Sequence, residues 1–210
     1  MLGTTVILAA YASLLLELTL VHVRSTASSL QLWAPDAELV GTYSPRYRRL
    51  FALGRPTKAL LFIAPLLVVY ATFLYPLVVV VVAGRDPIGD YLFTPSPGLT
   101  TVGLGLLLVG RGIAVVSALS IRRHNAQSGD SFRLHTAGLF RWSRNPGLLG
   151  MYLFIGGIWL TMPSALMLAG MLFYVLYMHF KVRMEEDFLA NRFGEPYLAY
   201  RAKTRRYVPC

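Results

Sequence analysis

Cysteine is nearly absent: the only one among 210 residues is the last, Cys210. No intramolecular disulfide can form, and thiol usage says nothing of the redox compartment. A prenylation box needs its cysteine fourth from the end, where Tyr207 stands, so the protein is not expected to carry a prenyl group itself. Charge is scarce as well. Only 14% of residues are Asp, Glu, Lys or Arg, against 55% hydrophobic ones. With a mean hydropathy of +0.54, that places the chain with polytopic membrane proteins. No pair of His or Cys residues has metal-ligand spacing, so no metal is expected. Internal repeats and low-complexity tracts are missing. No basic segment precedes the first apolar run, which argues against a cleaved signal peptide.

Acidic residues are rarest: 10 against 20 Lys and Arg, a net charge of +10. In a soluble protein that excess would point to nucleic acid. Here 18 of the 20 cations fall in three segments, six between Arg24 and Lys58, five between Arg122 and Arg144, and seven from Lys181 onward. They alternate with apolar runs, the positive-inside pattern of a membrane protein, so no nucleic-acid partner is expected. The runs are Thr4 to Val23, Ala59 to Ala83, Gly98 to Ile121, Gly147 to Thr161 and Ser164 to Phe180. The expected fold is therefore an all-α membrane protein with about five transmembrane helices. Its last two form a C-terminal helical hairpin around Met162-Pro163, followed by a cytosolic helical tail in which Gly194 ends one helix and Pro196 starts another. The first hairpin helix reaches only roughly 22 Å, so the tip is expected to stop short of the far surface. The charge pattern puts the N-terminus outside and the C-terminus in the cytosol. Residues 1–97 read as a two-helix region with a basic cytosolic connector, and 98–210 as the catalytic membrane region.

Two charges lie inside apolar runs. Glu17 is within two turns of its helix end and reaches the interface. Arg111, in the middle of the third helix, must be paired or solvated and so faces the bundle interior, as a substrate anchor or as a structural partner. Gly103, Gly105 and Gly110 on the same helix are small residues of the kind that let membrane helices approach closely. In the connector, Arg46-Tyr47-Arg48-Arg49 sets aromatics among arginines, a pattern suited to anionic lipid headgroups.

The segment richest in chemistry runs from His135 through Gly138, Phe140, Trp142 and Arg144 to Asn145-Pro146-Gly147-Leu148. Asn145 is a favoured N-cap and Pro146 fits the first helical position. The first-turn N–H groups of Gly147, Leu148 and Leu149 then lack intrahelical partners, and with Arg144 beside them they attract an anionic group. About forty residues later comes Lys181-Val182-Arg183-Met184-Glu185-Glu186-Asp187. Val182, Glu186, Leu189 and Phe193 follow the spacing of one apolar helix face on which Glu186 is the sole charge. Glu185 lies to one side, where water reaches it.

Gly138, Phe140, Arg144, Pro146 and Gly150, followed by Glu185, Glu186, Leu189, Phe193, Gly194 and Tyr197, stand in register with one family's pattern. Residues 98 to 209 resemble the catalytic half of the integral-membrane methyltransferases typified by isoprenylcysteine carboxyl methyltransferase and phosphatidylethanolamine N-methyltransferase. Asn145 replaces the family's usual His, and Leu148 its usual Tyr. The resemblance implies S-adenosylmethionine as cofactor and a lipophilic or lipidated acceptor entering from the lipid bilayer: a prenylcysteine carboxylate, a lipid amine or similar. It implies cofactor contacts at His135, Gly138, Phe140, Arg144, Asn145, Pro146, Gly147, Leu148, Glu185 and Glu186, and, from a Gly-x-Gly in a comparable helix, at Gly103 and Gly105. Arg144, Glu186 and Arg111 are the candidate catalytic residues, with Glu186 expected to matter more than Glu185. Two alternatives stand beside this one. A membrane NADPH-dependent reductase of the steroid or sterol type has a similar hairpin, but its pattern asks for Asn-Tyr-x-Gly-Glu after the Pro, whereas here Gly150 is followed by Met151. A non-enzymatic membrane scaffold would make the cluster incidental.

Overall fold

A computed structural model describes residues 2–17, 37–83, 91–128 and 134–207. The end of the first apolar run, Arg24 and Cys210 fall outside these. The elements are helices: α1 (Leu2–Glu17), α2 (Ala37–Thr42), α3 (Pro45–Phe51), α4 (residues 55–83), α5 (Pro97–Ser128), α6 (Pro146–Thr161), α7 (Ala165–Phe193) and α8 (Glu195–Lys203). Among the described residues the single extended pairing is an isolated bridge between Tyr91 and Ser164.

Three helices are long and apolar enough to cross a membrane, spanning Arg55–Val82, Pro97–His124 and Ala165–Phe193. The described part of α1 and the whole of α6 are shorter apolar helices. At about 1.5 Å per residue α6 measures about 24 Å, less than the roughly 30 Å hydrocarbon core. Five full spans are therefore more than the described helices supply. Helix α4 contains two π-helical segments, Ala59–Ile63 just before Pro65 and Val79–Ala83 just after Pro76. Each proline removes one donor from the ladder, and wider turns beside them accommodate the loss.

The tightest packing joins α5 to α6, antiparallel. A Cβ on Gly110 would fall 2.5 Å from the carbonyl oxygen of Gly150, and one on Gly103 2.7 Å from that of Gly157. These glycines, each seven residues from the next on its helix, make a stripe along which the two backbones touch. Leu107 and Phe154 fill the same seam, both fully buried. The expected hairpin is thus looser than its turn suggests. Helix α6 lies along α5, whereas α7, after the turn at Met162-Pro163, packs on α4, where Gly170 receives Thr72 and the Tyr177 hydroxyl donates to the Phe62 carbonyl. Ser164 caps α7 by accepting from the Met167 N–H at 3.4 Å.

A second core sits at the opposite end of α7. Tyr43, Tyr47 and Phe51 from the connector are buried with Phe62, Met184 and Phe188. Asp187 accepts from the Ser44 N–H at 2.9 Å. The connector's aromatics therefore face protein, not headgroups. Arg46, Arg48 and Arg49 remain on its exposed side.

Candidate functional site

The loop before α6 is shaped by Gly138, whose φ of +60° lies in the left-handed region, where a side chain would be strained. It opens a 3-10 turn, Gly138–Arg141, that buries Phe140. The His135 ring packs edge-on against Phe140 with centroids 5.0 Å apart, and its Nε2 lies 2.9 Å from the Ser120 hydroxyl of α5. Burial first, then the neighbouring His124, holds the His135 imidazole below its ordinary pKa.

Arg144 ends this loop and begins the site. Its Nε and Nη2 donate to Glu186 Oε1 at 3.1 and 2.7 Å. Arg206, from the tail, approaches the same carboxylate from the other side, Nε to Oε1 at 3.0 Å and Nη2 to Oε2 at 2.6 Å. One carboxylate of α7 thus holds two guanidiniums. The tail that brings Arg206 is laced to the loop by its backbone: the Arg144 N–H donates to the Arg205 carbonyl at 2.8 Å, and Arg144 Nη1 donates to the carbonyls of Arg201 and Thr204. Ser143 Oγ and Asn145 Nδ2 both donate to the Arg206 carbonyl, at 3.1 and 3.2 Å. From α8, the Tyr200 hydroxyl donates to the Phe140 carbonyl at 2.7 Å. Outside the clamp opens a basin of about 1070 Å³ lined by Arg141, Trp142, Arg144, Arg201, Ala202, Lys203, Thr204, Arg205, Arg206 and Tyr207. No acidic residue lines it.

Residues 99–196 match the phospholipid methyltransferase family. That stretch contains the loop, α6 and Glu186. Over that stretch the chain is similar to the integral-membrane methyltransferases. It is 32% identical over 120 residues to the protein-S-isoprenylcysteine O-methyltransferase of Xenopus laevis, a match covering 53% of this chain and 41% of that relative, so the chain spans less than half the length of the relative it resembles. No solved structure matches.

The matched segment brings together Arg144, Asn145, Pro146 and Glu186. His135, Gly138 and Phe140 support the loop beneath them, while Gly147 and Leu148 form the first turn of α6. Glu186 is buried and Glu185 exposed, the division expected from the helical stripe. The other candidates lie elsewhere. Gly103 packs against the far end of α6, beside Gly157, and Gly105 is exposed with open space around it. Arg111 turns toward α1, where its Nε donates to the Ser13 hydroxyl and its Nη2 to the Ser13 carbonyl, both at 2.7 Å. The partner it needs at that depth is thus supplied by a neighbouring helix.

Two expectations for the start of α6 require correction. Asn145 occupies the N-cap position but its side chain accepts no capping hydrogen bond; the amide reaches the tail instead. The Leu149 N–H bonds to the Asn145 carbonyl at 3.0 Å, leaving Gly147 and Leu148 as the open first-turn donors. Sequence reasoning also left Arg206 and Tyr200 out of the site. Their signal was the helix stop at Gly194 and restart at Pro196, which turns the tail back toward the loop.

Proposed function

We propose that the protein transfers a methyl group from S-adenosylmethionine to a lipophilic acceptor embedded in the membrane. The observation that carries this reading is the pairing of Arg144 with Glu186 at the start of α6, inside the segment that matches the methyltransferase family. Residues 42 positions apart are held in one salt bridge of low exposure at the mouth of a cationic basin. The residues fit the cofactor's chemistry. The basin offers guanidiniums for a carboxylate and the exposed indole of Trp142 for a base; Gly147 and Leu148, which follow Arg144 in the first turn of α6, and the exposed Glu185, one residue before Glu186, lie outside its lining. When bound, the cofactor supplies an activated methyl group on a sulfonium, so the protein's task is alignment and exclusion of water. Glu186 serves that task by fixing Arg144 and Arg206, and the tail closes over the loop. The acceptor reaches the site from the bilayer, and the Xenopus relative, named for S-isoprenylcysteine, supports a lipidated or lipid molecule in that role.

The test is a calorimetric titration of the purified protein in lipid nanodiscs with S-adenosylmethionine and, separately, NADPH, followed by transfer of labelled methyl to amine lipids and prenylcysteine carboxylates. Binding of S-adenosylmethionine with label recovered in the lipophilic fraction is expected. Binding of NADPH instead, or of neither, refutes the proposal.

A further inference from the structure

Beyond the clamp, the tail makes one more polar contact with α7. The Tyr207 hydroxyl and His179 Nδ1 lie 3.2 Å apart. Tyr207 is positioned by its neighbour Arg206, whose guanidinium is fixed on Glu186, and it is among the residues that line the cationic basin. It therefore borders the basin on one side and touches His179 on the other. His179 precedes Glu186 by two turns on the same face of α7, about 10 Å nearer the apolar part of that helix. From α6, the Tyr152 ring stands 6.0 Å from that of Tyr207 and 5.8 Å from that of Tyr174. The Tyr152 hydroxyl is shielded from solvent. Because α6 spends its length on α5 while α7 leans on α4, these rings fill the space between α6 and α7. The titratable and charged groups acting on Tyr207, besides His179, are Tyr152 from α6, Arg206 from the tail and Glu186 from α7.

Polar-tipped rings at this depth cost free energy unless they are bonded, and an ionisable side chain within a membrane helix is a functional candidate by default. We propose that Tyr207 and His179 form a proton relay on the acceptor side of the methyl-transfer site, and that the acceptor is a protonated nitrogen, such as a lipid amine, rather than a carboxylate. This rests on the methyl-transfer reading above. An ammonium nitrogen has no lone pair with which to attack. Tyr207 Oη takes its proton while the tyrosine's own hydroxyl proton passes to His179 Nδ1, giving a neutral amine and an imidazolium. The freed lone pair forms the new N–C bond, and the electron pair of the broken S–C bond leaves on sulfur as a neutral thioether. The imidazolium returns its proton to water through the basin. A carboxylate acceptor is already unprotonated at neutral pH and makes no use of such a relay.

The experiment compares the parent, Tyr207→Phe and His179→Gln in nanodiscs with two acceptors, phosphatidylethanolamine and an S-farnesylated cysteine derivative bearing a free carboxylate. Tyr207→Phe keeps the ring and removes the relay oxygen. Its preference for carboxylate over amine at neutral pH is expected to shift by about 100-fold, the lower end of what general acid–base catalysis contributes, and the shift should shrink as pH rises and the amine loses its proton unaided. His179→Gln should follow it. Independently of turnover, the ¹⁵N resonance of His179 Nδ1 should move on Tyr207→Phe, and the S-adenosylmethionine affinity of His179→Gln, a residue outside the basin lining, should hold when measured by calorimetry. Equal losses with both acceptors, no loss with either, or a parent that methylates only the carboxylate overturns the relay. A parent that neither binds S-adenosylmethionine nor transfers methyl to either acceptor overturns the function on which it rests.

Discussion

Replacing Glu186 by Gln should cost more stability than removing its partner Arg206. Its carboxylate accepts from Arg144 at 3.1 and 2.7 Å and from Arg206 at 3.0 and 2.6 Å. The side chains of Glu186, Arg144 and Arg206 are 9%, 11% and 31% exposed. Breaking a buried ion pair costs about 3–5 kcal/mol because the surviving charge is left uncompensated. Glu186→Gln strands two guanidiniums, but Arg206 is close enough to solvent to rehydrate, which brings the expectation to about 3 kcal/mol. Arg206→Gln leaves the Arg144–Glu186 pair intact, so its cost should be about 1–2 kcal/mol. The assay is thermal unfolding of both variants and of the double variant in detergent, with trypsin cleavage after Arg205 and Arg206 as a readout of tail release. The double variant should show non-additivity of about 0.5–3 kcal/mol, the range for groups sharing one network. Equal costs for Glu186→Gln and Arg206→Gln, or strict additivity, would refute a shared carboxylate as the element holding loop, α7 and tail together.

Gly110→Ala should separate α5 from α6, because the added Cβ meets backbone atoms at 2.5 Å, and a lowered midpoint in thermal unfolding is expected. Gly105→Ala, which meets nothing within 4 Å, should leave that midpoint unchanged; a loss equal to that of Gly110→Ala would contradict the packing. Asn145→Ala and Asn145→Asp should loosen the tail alike, each by about 1 kcal/mol, since both remove the donor to the Arg206 carbonyl, whereas a variant that keeps stability only as Asp would restore the capping role; differential scanning fluorimetry separates the two. The folded protein takes up a proton at His135 at lower pH than the unfolded chain does, because burial and His124 lower that imidazole's pKa. Stability should therefore be full above about pH 6.5 and decline as pH falls below it, and a pH series of melting curves should be flatter for His135→Gln. An impermeant maleimide should label Cys210 in lysed but not in intact cells, as the positive-inside pattern requires, and equal labelling rates would invert the topology.

The parts of this protein that could be read from the sequence are those in which a local pattern and a long-range contact agree. Glu186 was placed on a buried face by helical spacing alone, and the structure buries it there; Glu185, one residue earlier, is exposed by the same geometry. The helix stop at Gly194, with φ of +57°, and the restart leading into α8 were likewise local. The tail's return to the loop was not legible, because Thr204, Arg205 and Arg206 carry no periodicity and bond largely through backbone carbonyls that any residue would supply. Asn145 shows the same limit from the other side. Its residue type favours a cap, yet a competing carbonyl from a distant segment wins its side chain. In the connector the signal existed and was outweighed: Tyr43, Tyr47 and Phe51 recur every four residues, the spacing of an apolar helix face, but the intervening arginines suggested headgroups until Met184 and Phe188 were seen to cover the rings.

The hairpin reading meets a related limit. Adjacency in sequence paired α6 with α7, while the glycines seven apart on α5 and α6 specified a different partner. In a membrane, where lipid tails satisfy apolar surface as well as another helix does, close backbone approach decides which helices associate. Those glycines thus set the position of Pro146, and with it the direction in which Arg144 meets Glu186. The site is consequently assembled by two contacts of opposite character. A rigid glycine seam fixes the start of α6, and a lattice of hydrogen bonds from the tail completes the clamp. Substitutions in the seam should act mainly through global stability, and substitutions in the tail mainly through the order of the site, so the two classes should separate in a plot of cofactor affinity against melting temperature.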